Sequence, residues 1–390
     1  MYIVRVGIIG IGNMGMEHAS NIYSGKVKNM KLCALCDFDE KKRVRAAERF
    51  PDVPVFSDFN EMNVMGCCDA VIVATPHYSH AIIAIEALRA GLHVMVEKPV
   101  SVYARQAEAL ANVAVESGKV FGIMFNQRTS PCYIAAKKIL DEGKLGNLKR
   151  LTWIITNLYR TQAYYDSGSW RATWRGEGGG VLINQAPHNL DLMQWLFGMP
   201  SRVRAFCNVA KYHTIEVEDE ATIYAEYKNG ATATFQVSTG EYPGTNRLEI
   251  AGDLGKIVVE ENKVKVWKLE HSETDIRFGS DIGSEEIPYT YEEIVAEGEE
   301  SGHCGILENF ADAILNGAPL IAPGAESLLE LEISNAAYLS AWKDKWVNIP
   351  CDRKEFEREL DAHRKVSEKT NISASSNSEE NCAERWKIKW

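Results

Sequence analysis

The first third of the chain alternates between short apolar runs and amphipathic stretches of helical length. Helical patterns occur in MEHASNIYSG, SHAIIAIEALRAG and ARQAEALANVAVESG, each placed between two β-rich runs. Strands that alternate with helices indicate parallel βαβ units. We therefore predict an α/β domain with a doubly wound parallel sheet over residues 1–127. Its strand patterns are IVRVGII (3–9), KLCALCDFD (31–39), CCDAVIVAT (67–75), LHVMVEK (92–98) and KVFGIMF (119–125).

After residue 128 the pattern changes to short strands separated by turn signals. A helix (CYIAAKKILDEG) and a strand (LKRLTWIIT) precede a loop rich in Trp, Arg and Gly. Asn229-Gly230 predicts the turn of a hairpin. We predict a second α/β domain, residues 128–350, with an open, mainly antiparallel sheet covered on one side by helices. Its further strand patterns are RVRAFCNV, ATIYAEYK, ATATFQVS, RLEIAG, KIVVEE and KVKVWKLE.

Two features outside these cores lead to further expectations. The uncovered face of the second sheet has to be buried, which predicts a homo-oligomer, a dimer or a tetramer, joined through this sheet. Residues 351–390 are expected to form a C-terminal helix and a polar tail, since the run VSEKTNISASSNSEENCA is rich in Ser, Asn and Glu.

Composition narrows the class of protein. The chain has 390 residues, a formal net charge of -11 and 45% hydrophobic residues, enough for two cores. The acidic balance argues against nucleic acid or an anionic membrane as a partner, and no apolar run has the length of a membrane span. The nine cysteines follow no disulfide framework, which fits a reducing compartment and predicts a cytoplasmic protein.

No metal site is predicted. Cys33 and Cys36 form a C-x-x-C on a predicted strand, where residues three apart point to opposite faces. His77 and His80 form an H-x-x-H, but the sequence offers no third ligand beside them.

The turn after the first strand carries the chemistry of a dinucleotide site. GIGNMG places Gly10, Gly12 and Gly15 in the G-x-G-x-x-G spacing, with Asn13 and Met14 between them. These glycines permit a tight turn, a close approach of backbone to a pyrophosphate, and close helix–strand packing. The helix that follows directs its first amides at the phosphates. A turn alone would explain the glycines, but the strand–glycine–helix–strand context favours a Rossmann domain.

Asp37 ends the second strand, 22 positions after Gly15. A carboxylate there accepts hydrogen bonds from ribose hydroxyls and repels a 2′-phosphate, which favours NAD over NADP. Ligands of such sheets bind at the carboxyl ends of the strands. We expect three clusters to surround one crevice there: Thr75-Pro76-His77, Glu97-Lys98-Pro99 and Asn126-Gln127-Arg128. His80, on the helix after the first cluster, is assigned with Thr75, Pro76, His77, Glu97, Lys98 and Asn126 to the cofactor site.

Taken together, GIIGIGNMG, CDFD, EKPV, the glycine-led helix with its His and ENFADAILNG resemble the Gfo/Idh/MocA oxidoreductases. The resemblance covers roughly residues 3 to 350. It implies an N-terminal Rossmann domain, a C-terminal α/β domain with an open sheet, a nicotinamide cofactor and sugar or cyclitol substrates. It also implies dimers or tetramers that pack sheet against sheet.

The resemblance gives Lys98 of EKP a catalytic role at the nicotinamide edge. Desolvation can lower the pKa of a lysine towards that of a useful base. Family members commonly carry an Asp at position 184 and a His at position 188, acting together; here His188 matches and Asn184 departs. Asn184 is also a good N-cap for a helix that has Pro187 in its first turn. Either Asp191 supplies the missing charge, or Lys98 accepts the proton while His188 holds the hydroxyl; we favour a relay shared by Lys98 and His188.

The loop SGSWRATWRGEGGG offers sugar-binding groups, because tryptophan faces beside charged donors suit sugar rings. Structural aromatic residues explain the same pattern. Joined to NQAPHNLDL, this loop is similar to family members that oxidise sugars or glycosides, including at a ring C-3 hydroxyl to give a 3-keto sugar. The predicted substrate-binding residues are Lys98, Arg128, Tyr164, Trp170, Arg171, Trp174, Arg175, Asn184 and His188.

Three functions remain open from the sequence. The first is an NAD-dependent dehydrogenase that transfers a hydride between the nicotinamide and a secondary hydroxyl of a sugar, glycoside or cyclitol. The second is a glycoside-cleaving enzyme that keeps NAD tightly bound and uses transient oxidation to permit elimination. The third is an NAD-binding regulator without turnover, which the Asn at position 184 keeps open.

Overall fold

The computed structural model describes residues 2–296, 298 and 300–367. Its first sheet has six parallel strands in the order β3-β2-β1-β4-β5-β6, as predicted for a doubly wound domain. The order reverses between β1 and β4, which is where such sheets bind ligands. The strands are β1 (Val4–Ile9), β2 (Met30–Cys36), β3 (Val55–Phe56), β4 (Ala70–Val73), β5 (His93–Val96) and β6 (Phe121–Ile123).

Five helices belong to this domain, and the three that were predicted are confirmed. All four residues of β4 and most of α4 are buried, which explains the near-continuous apolar runs there. The two-residue strand β3 and the helices α2 and α3 have weak apolar patterns and were not foreseen. The helices are α1 (Asn13–Tyr23), α2 (Glu40–Arg49), α3 (Phe59–Val64), α4 (His77–Arg89) and α5 (Ala104–Ser117).

The second sheet has nine strands in the order β14-β13-β12-β11-β7-β10-β9-β8-β15. Only the pairing of β7 with β10 is parallel, so the predicted, mainly antiparallel sheet is confirmed. Gly230 has a φ of 84° in the turn between β9 and β10, at the predicted hairpin. The strands are β7 (Leu148–Ile155), β8 (Arg202–Val209), β9 (Glu218–Glu226), β10 (Thr232–Ser238), β11 (Asn246–Gly252), β12 (Gly255–Glu260), β13 (Lys263–Leu269), β14 (Tyr289–Val295) and β15 (Val347–Asn348).

Helices cover one face of this sheet and connect it to the first domain. The long helix α11 packs on β8 and α8, and its middle is buried on all sides. The chain before α11 returns to the first sheet, where Ile123 N donates to Ala322 O at 3.1 Å. The helices are α6 (Pro131–Asp141), α7 (Gln162–Asp166), α8 (Pro187–Phe197), α9 (Glu273–Gly279), α10 (Gly302–Asn316), α11 (Ser327–Lys343) and α12 (Arg353–Lys365), with 3-10 turns at Asn126–Thr129 and Gly324–Glu326.

The opposite face of the second sheet carries exposed aromatic side chains. Phe206 on β8 and Tyr224 on β9 alternate with buried neighbours and therefore project away from the helices. The ring of Trp346 lies against Tyr224 with centroids 5.9 Å apart. Apolar groups thus remain on the open face that the sequence predicted.

The C-terminal helix α12 ties the end of the chain to the first domain. Arg353 pairs with Glu108 at 2.6 Å, and Arg105 on α5 pairs with Glu357 at 2.9 Å. From residue 368 onward the predicted polar tail lies outside the described residues. None of the described helices is long and apolar enough to cross a membrane.

Candidate active site

The glycine turn after β1 leaves room where a pyrophosphate would lie. Gly10 has a φ of 91°, and a Cβ there would come within 2.6 Å of the Ala74 carbonyl oxygen. A Cβ on Gly15 would overlap the carbonyl oxygen of Gly10. A Cβ on Gly12 would meet nothing within 4 Å, so open space lies in front of this residue. The two outer glycines are thus required by packing, and the middle one faces open space where a pyrophosphate would fit.

The start of α1 and the end of β2 complete this site. The N-cap of α1 is Gly12, whose lack of a side chain leaves the first amides, at Asn13 and Met14, without a side-chain cap. The Asp37 carboxylate accepts from Ile11 N at 2.8 Å, which fixes the glycine turn against β2. Asp37 is 5% exposed, at the strand end where an adenosine ribose would lie. These residues fit an NAD molecule.

The two histidines of α4 contact backbone around the crevice, and the assignment of His77 and His80 to the cofactor site stays a prediction. His77 Nδ1 lies 2.8 Å from Glu177 O, and its buried ring packs edge-on against Trp170. His80 has its two ring nitrogens at 2.7 Å from Pro99 O and 2.5 Å from Thr75 O. Both rings are used to hold backbone in place.

The half-buried Thr75 and Pro76 precede α4, whose N-cap is Pro76. Ser79 Oγ donates to Thr75 Oγ1 at 2.8 Å. Both residues therefore stay at the edge of the crevice, at the carboxyl end of β4.

Lys98 follows β5 and reaches across to the second domain. Its peptide bond to Pro99 is cis. Lys98 Nζ donates to the carbonyl oxygen of Asn184 at 2.7 Å and lies 3.4 Å from Asn184 Oδ1. The preceding Glu97 points back into the first domain, where its carboxylate lies 2.7 Å from His18 Nε2. Burial acts to raise the pKa of Glu97, but the hydrogen bond from His18 and the charges of His18, Lys98 and His303 together outweigh it and lower this pKa to about 2.

Burial lowers the pKa of Lys98 below its ordinary value because the charged ammonium loses its hydration. The carboxylates of Glu97, Glu177 and Glu330 act in the opposite direction and limit the shift. The buried amine of Lys98 is therefore easier to deprotonate than that of an exposed lysine.

The helix α8 begins at Pro187, with Ala186 as its N-cap, so the predicted capping role of Asn184 is wrong. Asn184 lies in the preceding turn, and its amide Nδ2 donates to Tyr164 OH at 3.1 Å and to Glu177 Oε1 at 2.5 Å. The expected contact with His188 is absent among the described hydrogen bonds. Asn184 is coupled to Lys98 instead, through both of its oxygens.

His188 lies in the first turn of α8, with its ring edge-on to Phe125 at 6.2 Å between centroids. In the described part of the chain its Nδ1 atom is buried without a hydrogen-bond partner. Burial and the neighbouring Lys98 lower the pKa of His188 to about 3. The ring is thus neutral near pH 7, suited to a hydrogen bond with a hydroxyl and weak as a proton acceptor.

Glu177 is the residue that sequence reasoning missed. It precedes the three glycines and is 1% exposed. Burial raises its pKa to about 7, against the effects of Ala172 N, Arg171 and Lys98. A charged residue immediately before a glycine run, in a loop leading to a candidate base, was the available signal.

A polar and aromatic wall stands beside Asn184. Tyr164 OH accepts from Arg171 Nη1 at 2.9 Å. The Arg171 guanidinium lies between two rings, 4.7 Å from the centroids of both Tyr164 and Trp170. These three predicted residues are therefore brought together with Lys98 and Asn184, and Trp170 and Tyr164 keep part of their surface exposed.

Two predicted substrate-binding residues have other roles. Arg128 forms a bidentate ion pair with Asp191, at 2.8 and 2.6 Å, and its guanidinium is buried. This pairing commits the Asp191 carboxylate to Arg128 instead of His188, and contact of Arg128 with substrate stays a prediction. Trp174 is 5% exposed and packs against Trp342 and other rings of the core. Arg175 is half-buried in the same loop, and its predicted contact with substrate stays a prediction.

A polar cavity of about 580 Å³ opens beside the end of β6. Asn126 lines it, and its side-chain oxygen lacks a partner among the described residues. Asn157, Asn246 and Glu260 contribute further hydrogen-bonding groups from the second domain. The cavity provides space lined by amides and carboxylates. Within the described chain, no group of three or more His, Cys, Asp or Glu side chains is arranged to hold a metal ion.

Two models of one protein family match the chain. The NAD-binding Rossmann fold of this oxidoreductase family (GFO_IDH_MocA) matches residues 4–125, and the GFO/IDH/MocA C-terminal domain matches residues 133–258. Together they cover more than half of the chain. The protein belongs to the Gfo/Idh/MocA oxidoreductase family, and its first domain is an NAD-binding Rossmann domain. The fold and family expected from the sequence are confirmed.

Curated relatives and solved structures agree with this placement. The scyllo-inositol 2-dehydrogenase (NAD(+)) of Bacillus subtilis is 25% identical, over 86% of this chain and 93% of the relative. The levoglucosan dehydrogenase of Pseudarthrobacter phenanthrenivorans is 26% identical, over 89% and 98%. The WlbA dehydrogenase from Bordetella pertussis, in complex with NADH and UDP-GlcNAcA, superposes with a TM-score of 0.75 at 26% identity, over 90% of this chain and 100% of that one.

Proposed function

We propose that this protein is an NAD-dependent dehydrogenase that oxidises a secondary hydroxyl of a sugar, glycoside or cyclitol. The observation that carries the proposal is the position of Lys98, whose Nζ is held by Asn184 at the carboxyl edge of the Rossmann sheet. An alcohol oxidation needs a base beside the hydroxyl and a hydride acceptor beside the carbon. When bound, the oxidised nicotinamide supplies the hydride acceptor.

The side chains of this site divide the remaining work. Lys98 accepts the hydroxyl proton, because burial holds the pKa of its amine below the ordinary range. His188, neutral at working pH, orients the hydroxyl by a hydrogen bond. Lys98 and His188 therefore have unequal roles, unlike in the shared relay expected from the sequence, because a ring with a pKa of about 3 is the weaker proton acceptor of the two residues.

The substrate class is argued from the wall beside the base. Trp170 and Tyr164 offer ring faces, and Arg171 between them offers donors, a combination that suits a sugar ring. The curated relatives act, by their names, on scyllo-inositol and levoglucosan, both polyhydroxylated rings. Oxidation at C-3 to a 3-keto sugar is the narrower form of this proposal.

The proposed reaction is tested with purified protein, NAD⁺ and a panel of free sugars, inositols and aryl glycosides, following absorbance of reduced nicotinamide. Reduction that Lys98→Met slows by about 10²- to 10⁴-fold, with NADH binding kept, supports the dehydrogenase. Aglycone released without net reduction identifies the glycoside-cleaving alternative. NAD binding with neither signal across the panel favours the regulator.

We propose further that the protein is a homo-oligomer, joined through the open face of the second sheet. The support is the pair Phe206 and Tyr224, exposed on neighbouring strands of that face. Light scattering after size exclusion tests this: Phe206→Glu should shift the wild-type dimer or tetramer towards a monomer. A cytoplasmic location stays a prediction from the cysteine pattern.

A further inference from the structure

A buried carboxylate lies behind the residue that departs from the family pattern. Asn184 replaces the family's Asp, yet its amide bridges two groups of opposite charge. Its Oδ1 lies 3.4 Å from Lys98 Nζ, and its Nδ2 lies 2.5 Å from Glu177 Oε1. We propose that Glu177 supplies, through Asn184, the negative charge that sets the basicity of Lys98, and is thus a positioning residue of the oxidation. The proposal rests on the function proposed above.

The carboxylate fixes which way the amide points. An amide has one accepting and one donating end, whereas an ionised carboxylate only accepts. With Glu177 on one side, the amide must turn Nδ2 towards it, which leaves Oδ1 for the Lys98 ammonium. The opposite orientation would set two oxygens against each other and a donor against the ammonium. Glu177 therefore acts on Lys98 in two ways. One is the electric field of its own charge, and the other is the dipole of the Asn184 amide, which Glu177 orients.

Glu177 is itself held rigidly by the loop that carries it. Its second oxygen, Oε2, accepts from Ala172 N at 2.5 Å, and Ala172 has a left-handed φ of 52°. The following Gly178 has a φ of 87°, a conformation that favours glycine. His77 holds the Glu177 carbonyl oxygen at 2.8 Å. Strained backbone that is over-determined in this way is concentrated at functional sites.

Of the three carboxylates that act on Lys98, Glu177 alone combines a link to it with a charge that changes near neutral pH. Glu97 is committed to His18 and stays ionised, since its pKa is about 2. Burial raises the pKa of Glu330 well above its ordinary value, and among the described residues neither of its side-chain oxygens has a hydrogen-bond partner that would link it to Lys98. Glu177 has a pKa of about 7 because burial opposes the two cations beside it.

The groups that face Glu177 set the sign of the coupling. Arg171 and Lys98 favour its ionised form, the nearby Glu218 favours its neutral form, and His77 contacts its backbone. When Lys98 takes up a proton, the new positive charge favours ionisation of Glu177. Each charge therefore stabilises the other during the step in which the substrate loses its proton.

The test compares three proteins in the full-length chain: Glu177→Gln, Glu177→Asp, and the double variant Glu177→Gln with Asn184→Asp, which moves the carboxylate next to Lys98. The pKa of Lys98 is measured without substrate, from the pH dependence of its acetylation by acetic anhydride, read by mass spectrometry of the peptide that contains it. The pH profile of kcat/KM with the substrate found above is the second readout.

We expect Glu177→Gln to lower the pKa of Lys98 by about one pH unit, because an ammonium loses a nearby anion. The acid limb of kcat/KM should move by the same amount to lower pH, and kcat should fall about tenfold with KM for NAD⁺ unchanged. Glu177→Asp should keep most of the wild-type pKa, and the double variant should restore it.

An unchanged pKa of Lys98 in Glu177→Gln overturns the proposal, whatever happens to the rate. If Glu177 only held the loop in place, its loss would lower activity without changing the pKa of Lys98. If Glu177→Gln does not fold, the double variant decides: a Lys98 pKa below that of the wild type contradicts the charge transfer. Because acetylation requires no turnover, a protein that oxidises nothing in the panel but shows the pKa shift rejects the dehydrogenase and keeps the coupling.

Discussion

The Lys98 ammonium donates a 2.7 Å hydrogen bond to the backbone carbonyl oxygen of Asn184, which joins the end of β5 to the turn before α8. The candidate base thus belongs to one domain and its holding group to the other. Since Asn184 also contacts Tyr164, hydrogen bonds join the candidate base Lys98 to the polar and aromatic wall that is proposed to bind the sugar. The position of His188, four residues further on, is set separately by α8.

We predict that His188 contributes by orientation and not by titration. Burial and Lys98 hold its pKa at about 3, so it stays neutral from mildly acid to alkaline pH. His188→Asn should lower kcat/KM about 10- to 100-fold, the cost of one polar contact to the reacting group. The acid limb of the pH profile should remain, because activity rises as Lys98 loses its proton. A limb that disappears in this variant would identify His188 as the base.

The two glycines after β1 should respond differently to alanine. A Cβ at Gly12 enters open space, so Gly12→Ala should fold with an unchanged Tm and lose NAD affinity at least about tenfold, since the Cβ occupies the pyrophosphate's place. A Cβ at Gly15 overlaps the Gly10 carbonyl, so Gly15→Ala should also lose stability, by about 1–3 kcal/mol. Thermal unfolding without NAD, paired with calorimetric titration of NAD⁺, separates the two. Equal NAD affinity in Gly12→Ala and wild type would contradict a pyrophosphate position in front of Gly12.

Asp37 should decide between the two nicotinamide cofactors. Asp37→Ala removes an anion that accepts ribose hydroxyls and repels a 2′-phosphate, so the Kd for NAD⁺ should rise about 10- to 100-fold and that for NADP⁺ should fall. The neighbouring Lys42, whose Nζ lies 3.6 Å from Asp37, would then be free to meet the added phosphate. Lys42→Ala in the same background is the matched control and should abolish the gain. Stronger discrimination against NADP⁺ in Asp37→Ala would contradict this assignment.

Arg128 should matter for stability more than for substrate affinity. Arg128→Met leaves Asp191 buried without its cation, which costs about 3–5 kcal/mol of unfolding free energy near neutral pH. Burial already acts to raise the pKa of Asp191, and loss of Arg128 raises it further. Because a folded-state pKa above the unfolded value gives stability at low pH, the deficit should be smaller at about pH 5.5 than at about pH 8. Melting curves at both values test this; a normal Tm with a raised KM would restore Arg128 to the substrate site.

The first domain could be predicted closely because its signals are local. Apolar runs with the correct lengths, glycines at fixed spacing and an acid at the next strand end all lie within short stretches of chain. Each one specifies its own backbone geometry, and parallel βαβ units leave few ways to combine them. The strand β3 escaped detection because two half-buried residues give no pattern.

The site was only half predicted, because its residues come from separate segments. Lys98, Asn184 and His188 were named from the sequence, but which of them touch was decided by the turn before α8. Arg128 and Trp174 looked available for substrate until the fold placed them beside Asp191 and beside the aromatic core. A side chain's partners depend on what lies opposite after folding, which local patterns do not contain.

The sequence by itself determined the two sheets, the glycine turn, the acid at Asp37 and the lysine of the EKP turn, since short-range sterics and periodicity control each of them. Only the tertiary structure decided the electrostatics of the site. Burial lowered the pKa of Lys98 and of His188. The folded loop placed the Glu177 carboxylate against Asn184, a residue seven positions further along the chain. Desolvation and charge pairing are properties of an enclosed volume, and that volume exists only when both domains have folded around it.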